Sequence, residues 1–203
     1  MISAKELDAY NDWTDNHKEH LRYDYDLNAN SICFDLGAFH CDWSIEISKR
    51  YNNPTIYAYE IMPDIFNVAK KRIIDYPNIK LSNLGLSNKS GEEFISDNGE
   101  STSFFISGNH KTKVFVKSIK HIIENLNISH IDIMKLNVEG AEYDILECLI
   151  ANNMHTMIDN LQIQFHKTVP DYESKYEYIR QQLQKTHKTT YDFYFVWENW
   201  AKI

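Results

Sequence analysis

Two carboxylates and a glycine, set one strand-helix-strand unit apart, are the residues of this 203-residue chain best placed to do chemistry. Asp35 and Gly37 lie in Cys33-Phe34-Asp35-Leu36-Gly37-Ala38-Phe39, an apolar run ending in a sharp turn, and Glu60 closes the run Tyr57-Ala58-Tyr59-Glu60. A glycine lets backbone approach a ligand closely, and a carboxylate at the end of the following strand can accept both ribose hydroxyl protons. The pair describes a nucleoside pocket and points to S-adenosylmethionine. Positions 39 and 41 are Phe and Cys, so there is no Gly-x-Gly-x-x-Gly and a pyrophosphate has no glycine cradle. A nucleotide-dependent oxidoreductase is therefore the weaker reading.

A second motif follows about a hundred residues later: Ile131-Asp132-Ile133-Met134-Lys135-Leu136-Asn137-Val138-Glu139-Gly140-Ala141-Glu142. With both motifs in order and spaced as they are, the chain from about Ile32 to His166 resembles the FkbM family of S-adenosylmethionine-dependent methyltransferases. That family's pattern includes Asp-x-Gly-Ala-[Asn/Phe]-x-Gly and Lys-x-Asp-x-Glu-Gly-x-Glu. The resemblance implies a class I, Rossmann-like fold, S-adenosyl-L-methionine as methyl donor with S-adenosyl-L-homocysteine as product, and O-methylation of a small polar acceptor such as a sugar or glycan precursor. Carried onto this sequence, the cofactor wall comprises Asp35, Gly37, Ala38, Phe39, His40, Glu60, Ile61, Asn83, Leu84 and Asn137. Two positions depart from the pattern: Cys41 stands where the family usually has Gly, and Asn137 where it usually has Asp. A side chain at 41 restricts the loop to negative φ or accepts strain, and an amide at 137 cannot take a proton. These departures motivate the alternative, a catalytically degenerate cofactor-binding domain serving as a partner or regulatory module.

Candidate acid-base groups converge on the same strand ends. His166 follows Gln162-Ile163-Gln164-Phe165 and is either the base, with a rate rising through a pKa of about 6.5, or a solvent-facing or merely hydrogen-bonded histidine; Glu139 and Glu142 are the other catalytic candidates, and Glu142 alternatively caps the first turn of a helix. Asp35 either anchors the loop or meets the cofactor's amino group, and Lys135 is either a snorkelling strand residue or the partner of a carboxylate. His40 adjoins the place where the methionine carboxylate belongs, and Ser101-Thr102-Ser103 is either turn chemistry or part of the lining. Asp132, Asp144 and Glu139 lack a cation-site spacing, so no metal is expected.

The elements that must position these groups alternate. Ser3, with Glu6 three residues on, caps a helix to about Leu21, giving an N-terminal helical or lid segment over 1–30. It either crosses the strand ends or covers the sheet's flank. The core, 31–203, reads as strand 31–36, helix 43–51, strand 55–60, helix 63–75 opened by Pro63, strand 78–82, helix 118–127, strand 131–137, a helix from Glu142, strand 161–166, helix 171–186 and an aromatic strand 191–197. Alternation predicts one α/β domain with a mostly parallel sheet and helices on both faces. Between Asn88 and Lys113, Gly91, Asp97-Asn98-Gly99 and Gly108 punctuate short Phe-bearing runs, predicting a β-hairpin insertion turned at Asp-Asn-Gly.

Composition narrows the partners. A net charge of −8 argues against a phosphate-tracking surface, so nucleic acid is not expected. No apolar window approaches the roughly 20 residues needed to span a bilayer, and the charged Met1–Leu21 stretch is unlike a signal peptide. The expected location is cytoplasmic. Cys33, Cys41 and Cys148 are odd in number and widely spaced, which suggests buried thiols and not a disulfide framework.

Overall fold

In chain order the elements are α1 (Ala4–Asp15), a 3-10 turn (Lys18–Tyr23), β1 (Ile32–Leu36), α2 (Asp42–Arg50), β2 (Thr55–Tyr59), α3 (Pro63–Arg72), β3 (Ile79–Ser82), β4 (Gly85–Ser87), β5 (Gly91–Asp97), β6 (Thr102–Ser103), β7 (Lys111–Ser118), α4 (Ile119–Asn125), β8 (Ile131–Leu136), α5 (Glu142–Ala151), β9 (Ile158–Ile163), α6 (Tyr172–Leu183), β10 (His187–Phe193) and β11 (Trp197–Lys202). The computed structural model describes residues 3–97, 102–103 and 111–203. A seven-stranded sheet runs in the order β10-β11-β9-β8-β1-β2-β3, parallel from β9 through β3, with β11 antiparallel to both of its neighbours.

β1 is central and buried on both faces, which is why it reads as an almost continuous apolar run. Alternation along it divides two cores. Phe34 and Leu36 join Met134, Leu136, Ile145, Leu149, Ile179 and Leu183 under α5 and α6, whereas Cys33 joins Ile56, Ala58 and Ile133 under Trp43, Ile47 and Ala69 of α2 and α3. Helices thus cover both faces of a Rossmann-like sheet. Spacing explains their orientation: Tyr176, Ile179 and Leu183 recur at i, i+3 and i+7 in α6 and form its buried face. Pro63 takes the first helical position of α3, where its missing N–H costs nothing.

The structure departs most from the sequence reading at four places. The N-terminal helix stops at Asp15, and the chain continues as a 3-10 turn; Ser3 does accept the Glu6 N–H, but the Glu6 carboxylate pairs with Lys167. The insertion is larger than a hairpin, because β5 pairs antiparallel with β7 and β6 while β4 adds parallel to β7, making a second four-stranded sheet. Its expected Asp97-Asn98-Gly99 turn falls largely outside the described residues, as do Ser101 and Gly108. The expected strand 161–166 begins at Ile158 and ends at Ile163, leaving His166 in a loop. The single aromatic strand 191–197 is in fact a hairpin, β10 and β11, turned at Tyr194-Phe195-Val196.

The N-terminal segment packs at one edge of the sheet and continues to the strand ends. Trp13 of α1 is buried against Tyr191 and Phe193 at the sheet's β10 edge, while Glu19, Arg22 and Tyr23 of the 3-10 turn reach the ends of the central strands.

Candidate functional site

The carboxyl ends of β1, β2 and β8 open into a cavity of about 920 Å³, near the top of the roughly 300–1,000 Å³ range of small-molecule sites. The β1 loop forms its floor. Gly37 has φ +76°, and its N–H and that of Ala38 both donate to the Tyr59 carbonyl at 3.0 and 2.9 Å. A Cβ built on Gly37 would stand 1.8 Å from the Asn137 carbonyl oxygen, so only glycine lets the β1 and β8 loops touch. Below them Lys135, 3% exposed, donates to Asp35 Oδ1 at 2.9 Å and to the Gly37 carbonyl at 2.8 Å; Ser44 Oγ holds the other Asp35 oxygen at 2.6 Å. Asp35 is wholly buried and absent from the cavity wall. Of its two expected roles, it performs loop anchoring, acting through Lys135.

Glu60 lines the cavity at 6% exposure. Its Oε2 accepts the Phe39 N–H and its Oε1 the Met62 N–H, each at 2.8 Å. Burial raises its pKa, and the two amides partly offset this by favouring the charged form. Each oxygen retains a lone pair, and no ion pair engages Glu60 among the described residues. A buried carboxylate in that state matches a pair of ribose hydroxyl donors, so the wall fits the nucleoside part of the cofactor. Ile61, Leu84, Asn137, Ala38 and Phe39 also line the cavity, whereas Asn83 stands behind it, donating to the carbonyls of Glu60 and Ile61. His40 lies outside the wall; its carbonyl accepts Arg72.

Cys41, the first departure from the pattern, sits at φ +60° with its side chain fully buried. The loop therefore accepts the strain. Burial pushes the thiol up to about 12, keeping it neutral. Removing the side chain has opposed effects: relief of about 1–2 kcal/mol of left-handed strain against loss of a small buried group and a more flexible unfolded chain, together about 1–2 kcal/mol. Cys41→Gly is thus expected to shift unfolding free energy by less than about 1 kcal/mol and to leave cofactor affinity unchanged, since Cys41 does not line the cavity. Urea denaturation and calorimetry check this, and a loss above about 3 kcal/mol would show that packing outweighs strain.

The three acid-base candidates do meet. His166 Nδ1 lies 2.9 Å from Glu142 Oε1 and Nε2 lies 3.4 Å from Glu139 Oε1. Burial lowers the His166 pKa, but the hydrogen bonds and charges of Glu139 and Glu142 outweigh it and push the value up to about 10. At neutral pH the imidazole is a cation and cannot accept a proton. The expected base with a pKa near 6.5 is corrected accordingly. Because the folded value is raised, this pairing contributes stability that is fully present below about pH 6.5 and is lost as pH rises through about 10. Glu142 is fully buried, accepting the Val138 and Gly140 N–H groups at 2.7 and 2.9 Å, and does not reach the cavity. Glu139 does, at the strained value φ +54°.

The model of the Methyltransferase FkbM domain matches residues 26–193. The chain belongs to this family. It is an S-adenosylmethionine-dependent methyltransferase. Solved structures agree on the fold of this FkbM-domain methyltransferase. An rRNA methylase from Streptococcus thermophilus superposes with a TM-score of 0.56 at 13% identity, covering 93% of this chain and 96% of that one. A Streptococcus mutans protein solved in complex with S-adenosylhomocysteine gives 0.56 at 10% identity over 93% and 97%. Fibrillarin from Methanococcus jannaschii gives 0.53 at 14% over 86% and 67%. No curated protein matches the chain in sequence. Among the described residues no group of His, Cys, Asp and Glu side chains could hold a metal ion, and no helix is long and apolar enough to cross a membrane.

Sequence reasoning missed the wall contributed by Glu19, Arg22 and Tyr23, together with Trp43, Met62, Ile65, Gly85 and Leu86. The only sequence signal for the first three was a charged, aromatic segment placed just before β1.

Proposed function

We propose that this methyltransferase acts on a hydroxyl oxygen of a small polar acceptor, such as a sugar or glycan precursor. The observation that carries the reading is the Glu139 carboxylate in the cavity wall, backed by the His166 cation at 3.4 Å. Bound S-adenosylmethionine supplies an electrophilic methyl whose sulfur keeps the bonding pair when the methyl leaves. The chain's residues supply alignment and proton removal. A hydroxyl becomes strongly acidic as the new carbon–oxygen bond forms, so a carboxylate is base enough if it is in place. Glu139 is the proposed proton acceptor. His166 positions it, and Glu142 positions His166 while tying down the Val138–Gly140 backbone. Glu19 and Asp42 add a charged rim suited to a polar acceptor.

Glu139→Gln is expected to lower kcat by about 100-fold or more while S-adenosylhomocysteine affinity stays within about twofold. Turnover should show no step at the ordinary histidine pKa. The test is methylation of a panel of mono- and disaccharides and other hydroxylated compounds, with the methyl position read by mass spectrometry. Full turnover in the Gln variant removes Glu139 from the mechanism, and methyl found on nitrogen overturns the oxygen assignment. Tight cofactor binding with no product across the panel favours the partner or regulatory module.

A further inference from the structure

One cation in the cavity wall is unused by the chemistry above. Arg22 lies in the 3-10 turn with its side chain 16% exposed, yet it lines the cavity. Its guanidinium is fixed from several sides. The group stacks over Trp197 at 4.2 Å, one terminal nitrogen pairs with Glu19, and the Glu19 carboxylate is itself held by Trp13 Nε1 at 3.2 Å. The Arg22 carbonyl accepts Trp43 Nε1 at 3.0 Å, seating the turn on the start of α2, immediately after the Gly37 loop. Among the described residues Arg22 Nε is buried with no hydrogen-bond partner.

An unsatisfied buried donor is costly, and a guanidinium held over an indole with its Nε unpaired is suited to a planar, bidentate acceptor. Lys135, the other cation of the wall, is already committed to Asp35 and the Gly37 carbonyl. Strand order gives the direction. Glu60 follows β2, on one side of β1, and Arg22 rests on Trp197 of β11, on the other side. A ligand whose ribose meets Glu60 and whose chain crosses the Gly37 loop therefore presents its far end to Arg22. In S-adenosylmethionine that end is an amino acid.

We propose that Arg22 binds the α-carboxylate of the cofactor's methionine moiety and so selects the intact cofactor over nucleosides lacking the amino acid. The proposal rests on the cofactor orientation set by Glu60. Calorimetry with two probes tests it: S-adenosylhomocysteine, which carries the carboxylate, and 5′-methylthioadenosine, which keeps adenine, ribose and sulfur but has no carboxylate. Arg22→Met is expected to weaken S-adenosylhomocysteine at least tenfold and to leave 5′-methylthioadenosine within twofold. Arg22→Lys, which keeps a charge on the wall, is expected to fall between Arg and Met. An equal loss for both probes in a variant that melts as wild type would make Arg22 a wall residue only, and no loss for either would place the carboxylate elsewhere; both outcomes overturn the proposal. If Arg22→Met fails to fold, the Lys variant decides by the same comparison. Failure of the cofactor orientation reads differently, because Glu60→Ala would then leave 5′-methylthioadenosine affinity intact.

Discussion

Gly37→Ala is expected to cost about 3 kcal/mol or more of folding stability, a large share of the 5–15 kcal/mol that holds a typical domain folded. Two effects add. The backbone at φ +76° disfavours any side chain by about 1–2 kcal/mol. The new methyl would also lie 1.8 Å from the Asn137 carbonyl oxygen, and this neighbour is backbone at the end of β8 that cannot swing aside. Relief requires separating the β1 and β8 loops, which are joined by the Asn137 N–H to the Leu36 carbonyl at 3.1 Å and by Lys135 to the Gly37 carbonyl. Such overpacking typically adds about 1–3 kcal/mol. Chemical denaturation measures the sum, and a change below about 1 kcal/mol would mean that the loops are not in contact as described.

Glu60→Ala is expected to weaken S-adenosylhomocysteine by at least about 100-fold, because two charge-assisted hydrogen bonds to ribose hydroxyls contribute about 1.5–3 kcal/mol each. The carboxylate also holds the amides of Phe39 and Met62, so the Ala variant should melt somewhat lower as those buried donors lose their acceptor. Affinity must therefore be measured where the variant is folded. Glu60→Gln helps separate the effects: it retains one acceptor oxygen, but its NH2 group must face either a backbone N–H or the ligand's hydroxyls. Unchanged affinity in a folded Ala variant would show that the ribose lies elsewhere.

The sequence revealed the sheet's centre because local patterns encode it. β1 and β8 are buried and mostly apolar, Pro63 marks a helix start, and Gly37 announces a turn that only glycine can make. The C-terminal hairpin was hidden for the opposite reason. Its turn, Tyr194-Phe195-Val196, contains none of the usual turn residues and places Phe195 at φ +56°, so aromatic packing determines what the local sequence does not signal. The extra strand β4 is three residues long and is specified mainly by pairing with β7, some thirty residues on. Side-chain chemistry was less legible than backbone. His166 was recognised as titratable, but its charge state depends on Glu139 and Glu142, residues over twenty positions earlier that only the fold brings within reach. Arg22 carried no more signal than the charged, aromatic segment it belongs to, because its stacking partner, Trp197, is far along the chain.

The bonds that frame the cavity join distant parts of the chain. Lys135 meets Asp35 across 100 positions, Asn137 meets Leu36, and Gln164 meets Leu136. Contacts of such separation close late, since the intervening chain must first give up its freedom. During synthesis the cofactor would find no complete wall until β8 had emerged and paired beside β1, however early the Gly37 turn formed. Once complete, the wall couples binding to the whole sheet: a ligand held between the β1, β2 and β8 loops stabilises the native state by RT ln(1 + [L]/Kd) and opposes separation of the strands themselves. The cofactor is then also a late cross-brace, and the resistance of the central strands to hydrogen exchange would rise with its concentration.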